Sequence, residues 1–525
     1  MNGTGELIRL ALRRDRILLP AWLSMFVLLA LASAAATRDM FPTTESIVAA
    51  ATAMNGTPAL VAVYGRIYDP TSVGALAMLK ALGTGAVILA VFSIVLVVRH
   101  TRSDEETGRS ELLGSGVVGR HAPLTAALAV AAGANVVLAL VTALCLSGVG
   151  LPVNGSFAFG AAWLGVGLVF TAIAGITAQV TTTARGAVGV AVAVLGGVFL
   201  LRALGDTAGP RWLSWSSPLG WGQQFRPFAG DRWWVLPIAL GFAVAAAVVA
   251  QLLVARRDLN AGLLPDRPGP ATGTLRGAFG LAWRLQRGSL LGWAIGFVVY
   301  GVLVGSVAGS IGDLVSSQEA AEFFRRLGGD NTLTDAVFAA MFGILSVIAS
   351  AYGVQAVMRL HHEETGLRAE PLLATPVTRL RWAASHVVIA LGGVAVLLVS
   401  AGLVAGGVHA VQAGDAALVG KVLAGALVQI PAAWVLVGIT VAAYGVVPRL
   451  AVAGWSALVL FLLLGELGPV FGFDQWLMDL SPYAHVPKVP GSAVTATPLL
   501  LLLVVGAAAT ALGLVGLRRR DMAGA

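Results

Sequence analysis

Cysteine, lysine and charge of any kind are what this 525-residue chain has least of. Its one cysteine, Cys145, sits in an apolar run, so neither a disulfide framework nor a cysteine-built metal site is available. A small packed side chain accounts for it. Charged residues make up 11% of the chain, against about 25% in ordinary soluble proteins. Lysine occurs only at Lys80, Lys421 and Lys488. No G-x-x-x-x-G-K-S/T segment is present. Gly420-Lys421-Val422 lacks the glycine frame and the hydroxyl, which excludes nucleotide binding through a phosphate loop. Ligand spacing such as H-E-x-x-H is also missing, and no residues combine as a catalytic group.

What is there is apolar: 57% of the residues, with a mean hydropathy of +0.85, gathered in long runs. As helix, about 20 apolar residues cross about 30 Å of hydrocarbon. Twelve runs reach or approach that length, near 17–36, 78–98, 123–148, 157–180, 186–204, 235–254, 289–309, 335–358, 384–409, 419–443, 450–465 and 497–516. Backbone in lipid must satisfy its own hydrogen bonds, so the expected fold is an all-α polytopic membrane bundle. The net charge of +8 and pI near 10.2 then follow from topology, and no nucleic-acid binding is expected. Arg9, Arg99, Arg185, Arg256, Arg381, Arg449 and Arg518 all fall on one side of the twelve-span arrangement, the cytoplasmic side by the positive-inside rule. Both termini are expected there, in a multi-pass protein of a bacterial inner (plasma) membrane. Arg13-Arg14-Asp15-Arg16, the apolar stretch after it and Ala32-Ser33-Ala34 imitate a cleaved signal peptide.

Internal repetition argues against cleavage. Leu10-Ala11-Leu12-Arg13-Arg14-Asp15-Arg16 with Trp22 returns as Leu281-Ala282-Trp283-Arg284-Leu285-Gln286-Arg287 with Trp293, 271 residues on (13 to 284, 22 to 293). A cleaved leader has no use for a counterpart in mid-chain, so 17–36 reads as a retained span. Trp212-Leu213 with Ser217-Pro218 matches Trp476-Leu477 with Ser481-Pro482, and Arg185 matches Arg449, each 264 residues apart. Arg256-Arg257-Asp258 closes the first copy and Arg519-Arg520-Asp521 the second. These markers describe a six-span unit, duplicated in parallel and fused. The halves are 1–262 and 276–525, joined by a Pro/Gly-rich linker at 263–275 that cannot continue a helix. Each half opens with an amphipathic elbow helix, 5–16 and 276–288; in the first, Leu7, Ile8, Ala11 and Leu12 oppose Arg9, Arg13 and Arg16. Segments 213–234 and 477–496 are too apolar for free loops and too broken for spans, which predicts re-entrant or interfacial helices on the outer face.

The scarce charge collects after the second span of each half. Residues 99–121 contain Glu105-Glu106-Thr107-Gly108-Arg109-Ser110-Glu111 and then Arg120. Residues 359–381 contain Glu363-Glu364-Thr365-Gly366-Leu367-Arg368-Ala369-Glu370 and then Arg379. With one residue inserted at Leu367, both fit one pattern. A solvated loop obeying the positive-inside rule needs neither the acids Asp104, Glu105, Glu106 and Glu111 nor the same order of charges in both halves. The two loops read as docks for a partner that is itself two-fold, made unequal by the insertion and by Pro371 in place of Leu112. His361-His362 has Ser103-Asp104 as its counterpart, so a metal site is not expected. Arg202 and Glu466, 264 residues apart near the outer ends of the fifth and eleventh spans, are either a gate pair across the pseudo-two-fold or two side chains snorkelling separately.

On the doubled E-E-T-G-R loop, the L-A-x-R-x-x-R elbow, six spans per half and the closing R-R-D, the chain resembles the ABC type-2 exporter permeases. Within them it is similar to the fused twelve-span actinobacterial permeases of the tetronasin type, associated with antibiotic and drug efflux. The resemblance covers nearly the whole chain. It implies alternating access powered by a homodimer of a separately encoded ATP-binding subunit, one permease to two ATPases, with ATP and Mg on that partner and no cofactor in this chain. It implies that Glu105, Glu106, Gly108, Arg109, Glu111 and Arg120 seat on one ATPase subunit. Glu363, Glu364, Gly366, Arg368, Glu370 and Arg379 would seat on the other, with Arg13, Arg16, Arg284 and Arg287 flanking the contacts. The implied substrate is an amphipathic small molecule. A proton-coupled transporter of the major facilitator type also has parallel six-span halves, but needs titratable groups near the bilayer midplane that this sequence does not offer. A transferase using lipid-linked donors needs an acidic cluster on an outer loop, and Asp39, Glu45, Glu319 and Glu322 share no pattern between the halves.

Overall fold

The computed structural model describes residues 2–56, 58–109, 118–207, 209–210, 212–258, 261–264, 277–314, 333–471 and 474–521. The chain divides into two compact units, Met1–Gly269 and Pro270–Ala525. Among the described residues there is no strand.

The first unit begins with α1 (Thr4–Arg14) and α2 (Leu18–Met40), separated by a turn at 15–17. Pro20 enforces that break. It has no N–H for the carbonyl of Arg16, and its ring crowds that carbonyl. The short helices α3 (Thr44–Gly56) and α4 (Pro58–Tyr64) follow. The second span is assembled from α5 (Val73–Lys80), a π turn at Ala81–Gly85 and α6 (Ala86–Arg99). At the π turn the Trp163 indole donates to the carbonyl of Ala81 (3.1 Å). Then come α7 (Arg102–Glu106), α8 (Ala122–Gly148), α9 (Val153–Val180), α10 (Ala184–Thr207), α11 (Trp212–Trp215), α12 (Pro218–Gln224) and α13 (Val235–Val254). Helix α9 is the centre of the unit and packs on α6, α8, α10, α12 and α13. Its Trp163, fully buried, stands edge-on to Phe26 of α2 at 5.6 Å.

The second unit runs α14 (Gly277–Leu314), α15 (Leu333–Thr365), α16 (Ala369–Leu373), α17 (Arg379–Ala413), α18 (Ala417–Leu427), α19 (Ile430–Val446), α20 (Ala453–Phe471), α21 (Gln475–Met478) and α22 (Ala496–Arg519). Its elbow, expected as a separate helix over 276–288, is instead continuous with the first span in α14. The reason is in the sequence: Leu291 stands 271 residues after Pro20, so nothing interrupts the helix. Helices α19 and α22 approach to backbone contact along Gly438 and Gly445 facing Gly506 and Gly513. A Cβ on Gly445 would lie 1.9 Å from the Gly513 carbonyl oxygen. Small residues are what allow such an approach in lipid, where hydrophobicity does not drive helices together.

Among the described residues, eleven helices are long and apolar enough to cross a membrane. The run expected at 450–465 appears as a shorter apolar stretch, Pro448–Leu462. The broken segment at 213–234 forms α11 and α12. In the latter, the Ser217 hydroxyl accepts from Gly220 N–H (3.4 Å), and Pro218 holds the first helical position, where its missing N–H costs nothing. The same hydroxyl donates to the Val198 carbonyl (2.7 Å), which pins α12 to α10. Its counterpart at 477–496 is looser: part of α21, then a 3-10 turn at Pro482–His485.

Candidate functional site

In the first unit the charged loop is tied to the unit's own chain end. Glu105 receives two hydrogen bonds from Arg257, at 2.5 and 3.0 Å, and one from Arg102 at 2.7 Å. Arg257 also donates to the Gln179 side chain (2.6 Å) and the Ala261 carbonyl (3.1 Å), while Arg102 reaches the carbonyls of Ala178 and Ala261 (both 2.9 Å). Arg120, at the far end of the loop, donates to the carbonyl of Arg257. The acid, the arginine after α13 and the arginine before α8 thus form one clamp that joins α7 to the ends of α9 and α13.

The second unit builds the same clamp. Arg520 grips Glu364 through two bonds of 2.7 Å, and Arg379 donates to the carbonyl of Arg520 (2.9 Å). Tyr444, at the end of α19, adds an O–H bond to Glu364 (2.6 Å). Burial works against the charge on Arg520, but hydrogen bonding and attraction to Glu364 outweigh it and raise the guanidinium above its ordinary pKa. Bidentate Arg–carboxylate geometry gives these contacts direction as well as strength.

The two clamps correct the register read from sequence. Pairing Glu105 with Glu363 places the insertion at Leu367, whereas the backbone pairs Glu105 with Glu364. Gly108 and Leu367 are both left-handed, at φ 71° and 54°. Each donates its N–H to its clamped acid's carbonyl at 3.0 Å (Gly108 to Glu105, Leu367 to Glu364), and the preceding residues donate in parallel to Ser103 and His362. From the clamped acid to Arg120 and Arg379 the separation is a constant 259 residues, with no insertion (105 to 364, 109 to 368, 120 to 379). Glycine came one residue early in the second copy, and Leu367 carries the strained turn in its place.

Three further acids of the loops are also engaged. Glu106 accepts from the backbone N–H of Ala184 (2.8 Å), so its charge sits at the N-terminus of α10, where the helix dipole favours it. Asp104 is shared by Arg14 (2.7 Å) and Arg109 (3.3 Å). Glu363 pairs with Arg359 (3.0 Å). Asp15, fully buried at the end of α1, lies 2.6 Å from His100 and 3.2 Å from Arg99, which fastens the elbow to the end of α6. At the equivalent place in the second unit Gln286 lies 2.8 Å from His386.

Of the sequence-derived residues, Arg13, Arg16, Arg109, Arg284, Arg287, Arg368 and Glu370 are exposed, and Glu106 is exposed despite its backbone bond. Gly366 is exposed beside the strained turn. Glu111 lies outside the described residues, as does the side chain of Glu466. Arg202 is held within its own unit: 2% exposed, it donates to the carbonyls of Ala62 and Val63 and lies over the Phe199 ring. Sequence reading missed Arg257, Arg520, Arg102, Tyr444 and Asp15 as site residues. For Arg257 and Arg520 the signal is present in the sequence, since the closing R-R-D recurs in both halves.

Eleven apolar helices among the described residues, two clamp-bearing units and a charged loop on each define a polytopic α-helical membrane protein with an internally repeated architecture. The family model described as the C-terminal domain of the multidrug efflux system permease Rv1217c matches residues 5–257 and 275–518. The chain is 46% identical over 528 residues to the multidrug efflux system permease protein Rv1217c of Mycobacterium tuberculosis (strain ATCC 25618 / H37Rv), covering 99% of this chain and 95% of that protein. The chain belongs to this family of ABC-type efflux permeases and is the permease subunit of an efflux system. The major facilitator reading is not favoured.

Proposed function

We propose that the chain exports amphipathic drugs or antibiotics from a bacterial cell by alternating access, driven by ATP hydrolysis on a separately encoded ATPase homodimer. ATP and Mg belong to that partner, two subunits to one permease. The arginine bias supports a cytoplasmic position, at the inner membrane, for the clamps and both termini.

The observation that carries this reading is the repeated clamp, Glu105–Arg257–Arg120 and Glu364–Arg520–Arg379. A loop that transmits force must be fixed to what it moves. The clamped acids fix each loop to the ends of its unit's spans, leaving the exposed charges Glu106, Arg109, Arg368 and Glu370, with Arg13, Arg16, Arg284 and Arg287, to meet the ATPase. Their role differs from that of Glu105 and Glu364, which face inward.

Co-expression with the ATPase tests the proposal. Charge reversal at Arg109 and Arg368 together is expected to lower permease-stimulated ATP turnover at least tenfold while the permease keeps its thermal stability. Undiminished turnover removes these residues from the contact, and failure of any ATPase to co-purify removes the ATP-driven reading.

A further inference from the structure

We propose that the first unit holds one anionic phospholipid in a cavity of about 920 Å³ beneath its elbow helix. The cavity lies between α1, residues 104–109 and 118–120 of the charged loop, the first turns of α8 and the end of α13. Its position is that of a headgroup: the walls are the ends of membrane-spanning helices, and the cover is a helix amphipathic enough to lie in the interface. The lining divides accordingly. Leu7 and Leu10 of α1, Leu124 of α8 and Val254 of α13 give it an apolar part, and five arginines stand against three carboxylates in the polar part.

Two of those three carboxylates are already paired with arginine. Asp104 is already shared by Arg14 and Arg109, and Glu105 by Arg102 and Arg257, so each of these acids is outnumbered by its own partners. Arg13 and Arg109 are exposed at the rim. Guanidinium groups bind phosphate oxygens as a planar fork, and basic pockets between span ends suit anionic headgroups. No Phe, Tyr or Trp stands among the described lining residues, and the apolar part is built from aliphatic side chains, which suit acyl chains. An acylated phosphate satisfies both halves of the lining; a free phosphate satisfies one.

The test is native mass spectrometry of the whole purified permease, without ATPase, titrated with phosphatidylglycerol, with phosphatidylcholine of the same chains, and with glycerol 3-phosphate. One phosphatidylglycerol per chain is expected to bind at least tenfold more tightly than phosphatidylcholine. Arg13→Glu with Arg109→Glu is expected to erase that preference, and Arg13→Lys with Arg109→Lys to keep most of it, which separates lost charge from lost fold. Equal binding of the two lipids, or an unchanged preference in the reversed variant, overturns the proposal. Glycerol 3-phosphate displacing the lipid at equal concentration overturns it in favour of a soluble phosphate ligand. None of these outcomes depends on the ATPase contact.

Discussion

Arg257 closes on Glu105 across 152 residues of chain, its two terminal nitrogens 2.5 and 3.0 Å from the two carboxylate oxygens. Both side chains are about nine-tenths buried (8% and 11% exposed), so the pair is shielded from the solvent that weakens surface ion pairs. Removing Arg257 leaves Glu105 with Arg102 as its one remaining guanidinium partner and breaks the ties to Gln179 and Ala261 as well. Arg257→Ala is expected to destabilise the first unit by about 3 kcal/mol. Arg257→Lys should lose much of that stability too, because an ammonium cannot reproduce the fork. Thermal unfolding of the purified permease measures both.

Leu367 offers a gain. It holds a left-handed turn that Gly108 holds in the first unit, and its side chain is 43% exposed, so little packing is lost with it. Leu367→Gly is expected to stabilise the permease by about 0.5 to 1 kcal/mol, and Gly108→Ala to cost about 1 kcal/mol. Opposite shifts in the midpoint of thermal unfolding verify the corrected register; shifts of the same sign contradict it.

Asp15→Ala leaves His100 and Arg99 without their buried carboxylate and frees α1 from α6. A loss of about 2 kcal/mol is expected. Hydrogen exchange should quicken first over 4–14, ahead of the spans, because this cluster fastens the end of the elbow to α6.

At the close approach of α19 and α22, Gly513→Leu puts side-chain atoms where Val441 and Ala442 backbone already stands, a Cβ falling 2.2 Å from the Val441 carbonyl oxygen. Helix separation is the only escape, at a cost of about 3 kcal/mol. The yield of folded protein and its unfolding temperature are expected to drop sharply, whereas Gly420→Ala, with nothing near its Cβ, is expected to be silent.

The sequence made the all-helical class legible, because length and apolarity of runs follow directly from bilayer thickness. It also revealed the repeat, through tryptophans, prolines and arginines in matching places. Pro20 against Leu291 marks which elbow breaks from its span. Glycine is a false guide to the register of the charged loops. In the second unit Leu367 occupies the left-handed position, one residue after the glycine. Charge in a loop is normally solvated, so sequence alone points the acids outward. Nothing local in Glu105 or Glu364 says that arginines more than 150 residues away will turn them inward.

The most direct test of the account is a double-mutant cycle on Glu105 and Arg257, read by thermal unfolding of the isolated permease with no ATPase present. Glu105→Gln, Arg257→Gln and the double variant should show a coupling energy of about 1.5 to 3 kcal/mol, with the double variant far more stable than the sum of the single losses. Additive losses, with coupling that arises only once the ATPase is bound, would show that Glu105 faces the partner and that the clamp is not what fixes the loop.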